Sequence, residues 1–188
     1  MTRFPINTLT SAPEASKPAL NGLKSAFGFI PNIAGAMATS PVLISCLAAL
    51  FERVHGGGFT EPQIQTLLLT NAVTNASEWP VAFHSYLALQ QDIPAESVDS
   101  IRSGGLPSDP KLAALSRFAK ALIVSRGRIE EAEVQAFLAA GFDEALLLEV
   151  IAVSAASTIT NYTASVTHPP LEAPFDAHAW KSTAARPA

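Results

Sequence analysis

The sequence has only one cysteine, Cys46, among its 188 residues. A single cysteine excludes a disulfide bond within the chain and any zinc site built from cysteines. It also excludes dithiol redox chemistry by one chain acting alone, since that chemistry needs an attacking and a resolving thiol. Secreted chains more often carry paired cysteines, so the sequence predicts an intracellular, cytoplasmic protein.

Charged residues are scarce as well, at 15% of the chain, and the formal net charge is only −4. No basic patch stands out, so we expect no nucleic-acid partner. The four histidines show no His-x-x-x-His spacing, and the glycine run at 56–58 is not a phosphate-binding motif. We therefore expect neither a bound metal nor a cofactor.

No segment directed to a membrane is evident in the sequence. Residues 1–10 lack the apolar run of a signal peptide. The longest apolar stretch, 145–156, is interrupted by Glu149 and Ser154. A stretch of that length is too short to span a bilayer, so we expect no membrane partner.

The residues that are abundant favour helices. Hydrophobic residues make up 48% of the chain, and no segment of strand length alternates between polar and apolar residues. Helix starts are marked by N-cap residues, by N-cap and proline pairs or by a capping box, at Ser40-Pro41, Thr60 with Gln63, Asp109-Pro110 and Asp143. We predict helices over 18–27, 41–55, 61–75, 77–91, 94–101, 110–126 and 130–140, and a last long helix after 143.

The fold class predicted from these patterns is all-α, with a single domain over residues 1–188. Prolines suggest an extended N-terminal arm over 1–17 and a Pro-rich C-terminal arm over 169–188, on either side of a helical core at 18–168. Aromatic residues in the C-terminal arm indicate that the arm packs against a protein surface and does not extend freely into solvent.

The segment from Asn75 to His84 carries most of the candidate functional residues. Ser77 and His84 are seven residues apart, so they lie within about 20° of each other around a helix. Gln65, on the preceding predicted helix, could approach the same stripe if the two helices form a hairpin.

This segment resembles the signature of the alkylhydroperoxidase D and carboxymuconolactone decarboxylase superfamily. That signature places a Glu on one helix, then Cys-x-x-Cys, then a His four residues after the second Cys. The two cysteines match Ser77 and Pro80, the histidine matches His84, the glutamate matches Gln65, and an asparagine before the first cysteine matches Asn75.

Other stretches are similar to the peroxidase-related branch of that superfamily, namely 27–32, 109–162 and 170–175. The resemblance implies an AhpD-like helical bundle with extended N- and C-terminal arms. It also implies a homo-oligomer, either a dimer or a hexamer.

The departures from the signature argue against the family's thiol peroxidase mechanism. Serine is not appreciably ionised at neutral pH and cannot replace the attacking thiolate, and Pro80 has no side-chain nucleophile. Gln65 cannot accept or deliver a proton as a glutamate would. We therefore do not expect the dithiol peroxidase reaction.

The non-redox branch of the resemblance implies a cofactor-free enzyme, lyase- or decarboxylase-like, acting by acid/base chemistry on a small organic acid or lactone. His84 is the expected catalytic acid or base, since imidazole titrates near neutral pH. Glu78 is a candidate catalytic partner, although six residues along a helix set the two about 120° apart. The residues expected to line the binding pocket are Gln65, Asn75, Ser77 and Trp79.

Two alternatives remain open. A degenerate, non-catalytic member would act as a ligand-binding protein or structural oligomer, with Trp79 or Phe83 closing the site around His84. Residual alkylhydroperoxidase activity would instead require Cys46 to lie beside His84, or at a subunit contact with a second thiol. For Ser77, a role as a helix N-cap competes with a role in the site.

Overall fold

The computed structural model of the protein describes residues 4–182, so the ends of the two predicted arms, 1–3 and 183–188, lie outside the described residues. Within residues 4–182 there are nine α-helices and no strand, which confirms the all-α prediction. The helices are α1 (Lys17–Phe27), α2 (Asn32–Met37), α3 (Pro41–His55), α4 (Glu61–Thr74), α5 (Glu78–Gln90), α6 (Ala95–Arg102), α7 (Pro110–Val124), α8 (Glu131–Ala139) and α9 (Glu144–Thr167).

Most helix starts lie where the sequence places them. The side chains of Ser40, Asp109 and Asp143 accept hydrogen bonds from backbone N–H groups in the first turns of α3, α7 and α9. The N–H of Thr60 donates to Gln63 Oε1 at 3.0 Å at the start of α4. These side-chain bonds satisfy donors that a helix N-terminus leaves without partners.

The short helix α2 was not predicted, because its six residues are too few to show a periodic pattern. It is held by the N-terminal arm. Both the backbone N and the side-chain Nδ2 of Asn7 donate to the carbonyl of Gly35, at 3.0 and 3.1 Å. A Cβ on Gly35 would lie 2.8 Å from Asn7 O, so only glycine lets the arm approach this closely.

The helices α4 and α9 form the centre of the bundle. Helix α4 packs against α5, α7 and α9, and every residue from Ile64 to Ala72 is buried. A helix buried on all sides loses the one-sided pattern that marks surface helices. The α4–α5 hairpin that the sequence suggested is present.

Helix α9 is 24 residues long and, by length and composition, is apolar enough to cross a membrane. The apolar stretch 145–156, which looked too short to span a bilayer, covers only part of this helix, because the helix continues to Thr167. However, its inner face packs against α2, α3, α4, α5 and α7, and 39% of its apolar window is buried inside the bundle. Length and composition alone therefore carry no membrane assignment.

The C-terminal arm folds back onto the bundle, as its aromatic residues indicated. The ring of Phe175 packs against those of Trp79 and Phe83, with centroids 6.2 and 5.2 Å apart. The guanidinium of Arg102 donates to the backbone carbonyl of His178 at 2.9 Å, and Trp180 Nε1 donates to the carbonyl of Arg102 at 3.1 Å. These contacts fix the arm across α5.

Candidate functional site

The α4–α5 hairpin brings together two of the residues predicted from the sequence. Gln65 Oε1 lies 3.1 Å from Nδ1 of His84, and the two side chains are 4% and 2% exposed. With the amide oxygen as acceptor, Nδ1 of the imidazole carries the proton. The other ring nitrogen, Nε2, then presents a lone pair and has no hydrogen-bond partner among residues 4–182.

The imidazole of His84 is neutral under ordinary conditions. Its pKa is lowered from 6.5 to about 3, chiefly by burial and to a smaller extent by the charge of His55. A shift of that size means that charging the ring in place costs about 5 kcal/mol more than in water. The side chain is therefore suited to accept a hydrogen bond and poorly suited to hold a proton.

A cavity adjoins His84 and is almost wholly apolar. Its walls come from α1, α2, α3, α5 and α9, and its aromatic side chains are Phe27, Phe51, Trp79 and Phe83. The polar residues in the lining are His84 and Thr160. The hydroxyl of Thr160 already donates to the carbonyl of Ser157 at 2.8 Å. Nε2 of His84 is thus the ring nitrogen of the lining that has no hydrogen-bond partner among residues 4–182.

The cavity is small and only partly enclosed. About 30 Å³ is open to the centre of a water molecule. That is enough for a water or two, whereas an engineered cavity of about 150 Å³ binds benzene. The aromatic side chains around the cavity pack against one another. The rings of Trp79 and Phe83 stack with centroids 5.0 Å apart, and the centroids of Phe27 and Phe83 are 5.4 Å apart.

Of the four residues expected to line the pocket, only Trp79 does so. Gln65 is not in the lining, and its Oε1 instead accepts the hydrogen bond from Nδ1 of His84. Asn75 ends α4 and donates from Nδ2 to the carbonyl of Asn71 at 2.8 Å.

Ser77 occupies the N-cap position of α5, but its side chain makes no cap. It is buried, and its hydroxyl donates to the carbonyl of Asn161 at 3.1 Å. Ser77 therefore ties α5 to α9, a role that neither sequence interpretation included. The sequence carries no signal for this contact, because the acceptor is the backbone carbonyl of Asn161, which every residue type has.

The structure does not join Glu78 to His84. The Glu78 side chain is 51% exposed and lies 3.5 Å from Lys181 Nζ at the surface. The expected pairing fails because the two residues face different sides of α5, and no neighbouring helix carries the carboxylate inward.

The carboxylate near the cavity belongs to Glu172, which sequence reasoning missed. Glu172 Oε1 accepts from the backbone N–H of Asn32 at 2.6 Å, and Oε2 accepts from Trp79 Nε1 at 3.0 Å. Burial raises the pKa of Glu172, and these hydrogen bonds partly oppose the rise. The residue links the C-terminal arm to two walls of the cavity. It lies in the Pro-rich stretch that resembles the peroxidase-related branch, which gave no hint of this role.

The cysteine lies away from the cavity. Cys46 is exposed on α3 and is not in the cavity lining. Among residues 4–182, no three His, Cys, Asp or Glu side chains lie close enough together to hold a metal ion.

Comparison with known proteins identifies the fold. No protein-family model and no curated protein matches the sequence. The structure is similar to the alkylhydroperoxidase AhpD core of an uncharacterized peroxidase-related protein from Ralstonia eutropha, with a TM-score of 0.82 and 18% identity over 93% of this chain and 94% of that one. It is also similar to the debrominase Bmp8 without ligand, with a TM-score of 0.79 and 16% identity over 95% and 96% of the two chains. A cysteine-to-alanine variant of Bmp8 in complex with 2,3,4-tribromopyrrole gives a TM-score of 0.76 and 17% identity over the same shares. This chain therefore has the all-helical fold of the alkylhydroperoxidase AhpD core, as its resemblance to that superfamily implied.

Proposed function

We propose that this chain is a non-redox protein that binds a small, apolar ring molecule beside His84, with the neutral imidazole accepting one hydrogen bond. The observation that carries the proposal is the pairing of an aromatic-walled cavity with a single free acceptor, Nε2 of His84. Such sites combine apolar contact area with one polar group that orients the ligand.

Acid/base catalysis, the leading expectation from the sequence, has less support. A general base works best when its pKa lies near the operating pH, and burial holds the pKa of His84 at about 3. The lining contributes no acidic side chain, and Glu78 lies at the surface. A small organic acid would also place its own charge in an apolar cavity with no cation to receive it.

The size of the cavity limits the size of the ligand and requires a wall side chain to move when the ligand binds. A molecule of one ring is larger than the open space, so a wall side chain must rotate to admit it. Phe27 and Phe51 are only partly buried, which makes them the movable part of the wall. Bmp8, which has the same fold, binds the single-ring molecule 2,3,4-tribromopyrrole, and a ring of that type carries one N–H donor.

The test compares two ligands of similar size, phenol and toluene, of which only phenol donates a hydrogen bond. Binding is followed by the NMR shift of the Trp79 indole N–H in the wild type, in His84→Phe and in His168→Asn as a control at an exposed histidine outside the cavity lining. We expect phenol to bind the wild type about 2- to 10-fold more tightly than toluene, the difference that one hydrogen bond supplies.

The advantage of phenol is expected to vanish in His84→Phe and to persist in His168→Asn. Equal binding of the two ligands to the wild type, or no shift at Trp79 with either, overturns the proposal. If the protein turns over a lactone or a small organic acid, and His84→Gln abolishes that turnover, the binding proposal is wrong and the acid/base enzyme is the correct function.

A further inference from the structure

Buried polar atoms without hydrogen-bond partners are concentrated on the two central helices, α4 and α9. They are Asn71 Oδ1 on α4 and Ser154 Oγ and Asn161 Oδ1 on α9, each shielded from solvent. Elsewhere among residues 4–182 the one further atom of this kind is Ser125 Oγ, at the end of α7. A buried polar atom without a partner is costly, so such a concentration marks a place where a ligand is held.

The two helices lie side by side, run in the same direction and have a fixed register. Near their N-termini, the N–H of Gly58 donates to Glu149 Oε2 at 2.8 Å. Near their C-termini, Ser77 joins them, since its N–H donates to the carbonyl of Ala72 at 3.0 Å and its hydroxyl donates to the carbonyl of Asn161 at 3.1 Å. The sequence offset between neighbouring residues of the two helices is therefore about 90 at both ends.

This register places Asn71 opposite Asn161, on the faces through which the helices pack. Asn71 follows Leu67 by one turn, and Asn161 lies about three turns after Val150. Leu67 and Val150 belong to the same buried apolar cluster. Asn71 and Asn161 are themselves only 1% and 0% exposed. The two amides therefore continue the apolar seam between α4 and α9.

Each amide leaves an oxygen without a donor. Asn71 Nδ2 donates to the carbonyl of Leu67 at 2.7 Å, and Asn161 Nδ2 donates to Ser157 Oγ at 3.2 Å, so each side chain reaches back one turn along its own helix. Rotating the Asn71 amide would set its oxygen against the Leu67 carbonyl, which is also an acceptor. Two acceptor oxygens cannot bond to each other, so a ligand between them must donate twice.

We propose that Asn71 and Asn161 hold one buried water molecule between α4 and α9. The water donates one proton to each Oδ1. Its own oxygen accepts the hydroxyl proton of Ser157, since Ser157 Oγ is bonded among residues 4–182 only as an acceptor. Three hydrogen bonds to groups that otherwise lack partners are typical of a buried water.

A metal ion suits this position less well than water. Amide and hydroxyl oxygens are neutral, so the charge of an ion would be buried without a counter-charge. Calcium takes about six to eight oxygen ligands, and the three side chains supply far fewer. No three His, Cys, Asp or Glu side chains lie together in the described part of the chain.

The water site is separate from the cavity beside His84 but supports the helices around it. Neither asparagine is in the cavity lining, although Thr160, the neighbour of Asn161, is. Helix α4 carries Gln65, which bonds to His84. A water between Asn71 and Asn161 therefore holds the α4–α5 hairpin against α9.

The first test is a crystal structure of the wild type at a resolution that shows ordered water. We expect one water within about 2.5–3.0 Å of both Asn71 Oδ1 and Asn161 Oδ1. A direct hydrogen bond between the two amides, or no density between them, overturns the proposal. A crystal soaked in a rubidium salt separates water from a cation, because anomalous signal at the site would assign it to a cation and overturn the proposal as well.

The second test is a double-mutant cycle measured by urea denaturation. Asn71→Leu and Asn161→Leu each leave the other oxygen buried with an incomplete set of partners, and each should lower the folding equilibrium constant about 5- to 150-fold. The double variant removes both acceptors, so we expect a loss well below the product of the two single losses.

The control cycle pairs Asn161→Leu with Thr70→Val. Thr70 precedes Asn71 on α4, but its hydroxyl lies 2.8 Å from Ser116 Oγ on α7, so these two losses should multiply. Losses that also multiply for Asn71→Leu with Asn161→Leu overturn the proposal. If either leucine variant fails to fold, the wild-type crystal structure decides the matter.

Discussion

Gln65 Oε1 accepts a hydrogen bond from Nδ1 of His84 across 3.1 Å, and this bond joins α4 to α5 in the interior of the bundle. It holds the imidazole in one tautomer, so that Nε2 keeps its lone pair. The amide does this without adding a charge, and the ring stays neutral.

Restoring a carboxylate at this position should change the charge state of the histidine. We expect Gln65→Glu to raise the pKa of His84 well above its wild-type value of about 3, because an adjacent anion stabilises the imidazolium. The pKa is measured from the imidazole resonances by NMR. The neutral variant Gln65→Leu is the control and should leave the pKa low; an unchanged pKa in Gln65→Glu would show that the two groups do not interact as described.

The low pKa of His84 also predicts a dependence of stability on pH. Between pH 6.5 and about 3 the unfolded chain binds a proton at this residue that the folded chain does not, so the free energy of unfolding falls as the pH falls. The limiting slope is about 1.4 kcal/mol per pH unit, or about 2 kcal/mol between pH 6.5 and pH 5.

Urea denaturation of the wild type and His84→Gln at a series of pH values isolates this contribution, because the other titrating groups are common to both. We expect the wild type to lose more stability than the variant as the pH falls from 6.5. Parallel curves would mean that His84 titrates alike in the folded and unfolded chains.

Glu172 should contribute to stability through its two hydrogen bonds. Glu172→Ala leaves the N–H of Asn32 and Nε1 of Trp79 without their acceptor, which should lower the free energy of unfolding by about 1–3 kcal/mol. Glu172→Gln retains one acceptor oxygen and should lose less. Chemical denaturation followed by tryptophan fluorescence measures both; equal losses in the two variants would argue against a role for the acceptor oxygens.

The N-terminal arm offers a further prediction at Gly35. A methyl group there would meet Asn7 O and Ile6 Cγ2, both at 2.8 Å, so Gly35→Ala should displace the arm from α2. We expect faster amide hydrogen exchange at Asn7 and a loss of stability of about 1–3 kcal/mol from overpacking. Gly22→Ala is a matched control, since no atom lies within 4 Å of its added Cβ.

The sequence predicted the helices whose ends carry chemical signals, and it indicated that Gln65 could approach the stripe that carries His84 if α4 and α5 form a hairpin. Ser40, Asp109 and Asp143 mark their helices because the capping bond is local and depends on residue type alone. The His84 contact was accessible because a short turn fixes how α4 and α5 meet.

The side-chain contacts that the sequence missed depend on partners far along the chain. Glu172 reaches Asn32 across 140 residues, and Ser77 reaches Asn161 across 84. No local pattern encodes such pairs. The expected role of Glu78 failed for the same reason, because it required a partner helix to carry a surface carboxylate to a buried ring.

The central claim is that His84 presents a neutral, unprotonated Nε2 to an apolar cavity. The most direct measurement is a ¹⁵N NMR titration of the imidazole from about pH 7.5 to about pH 4, within the range where an ordinary histidine changes charge. The account predicts a proton on Nδ1 and none on Nε2 throughout. A titration with a midpoint near 6.5, or a proton found on Nε2, would contradict it.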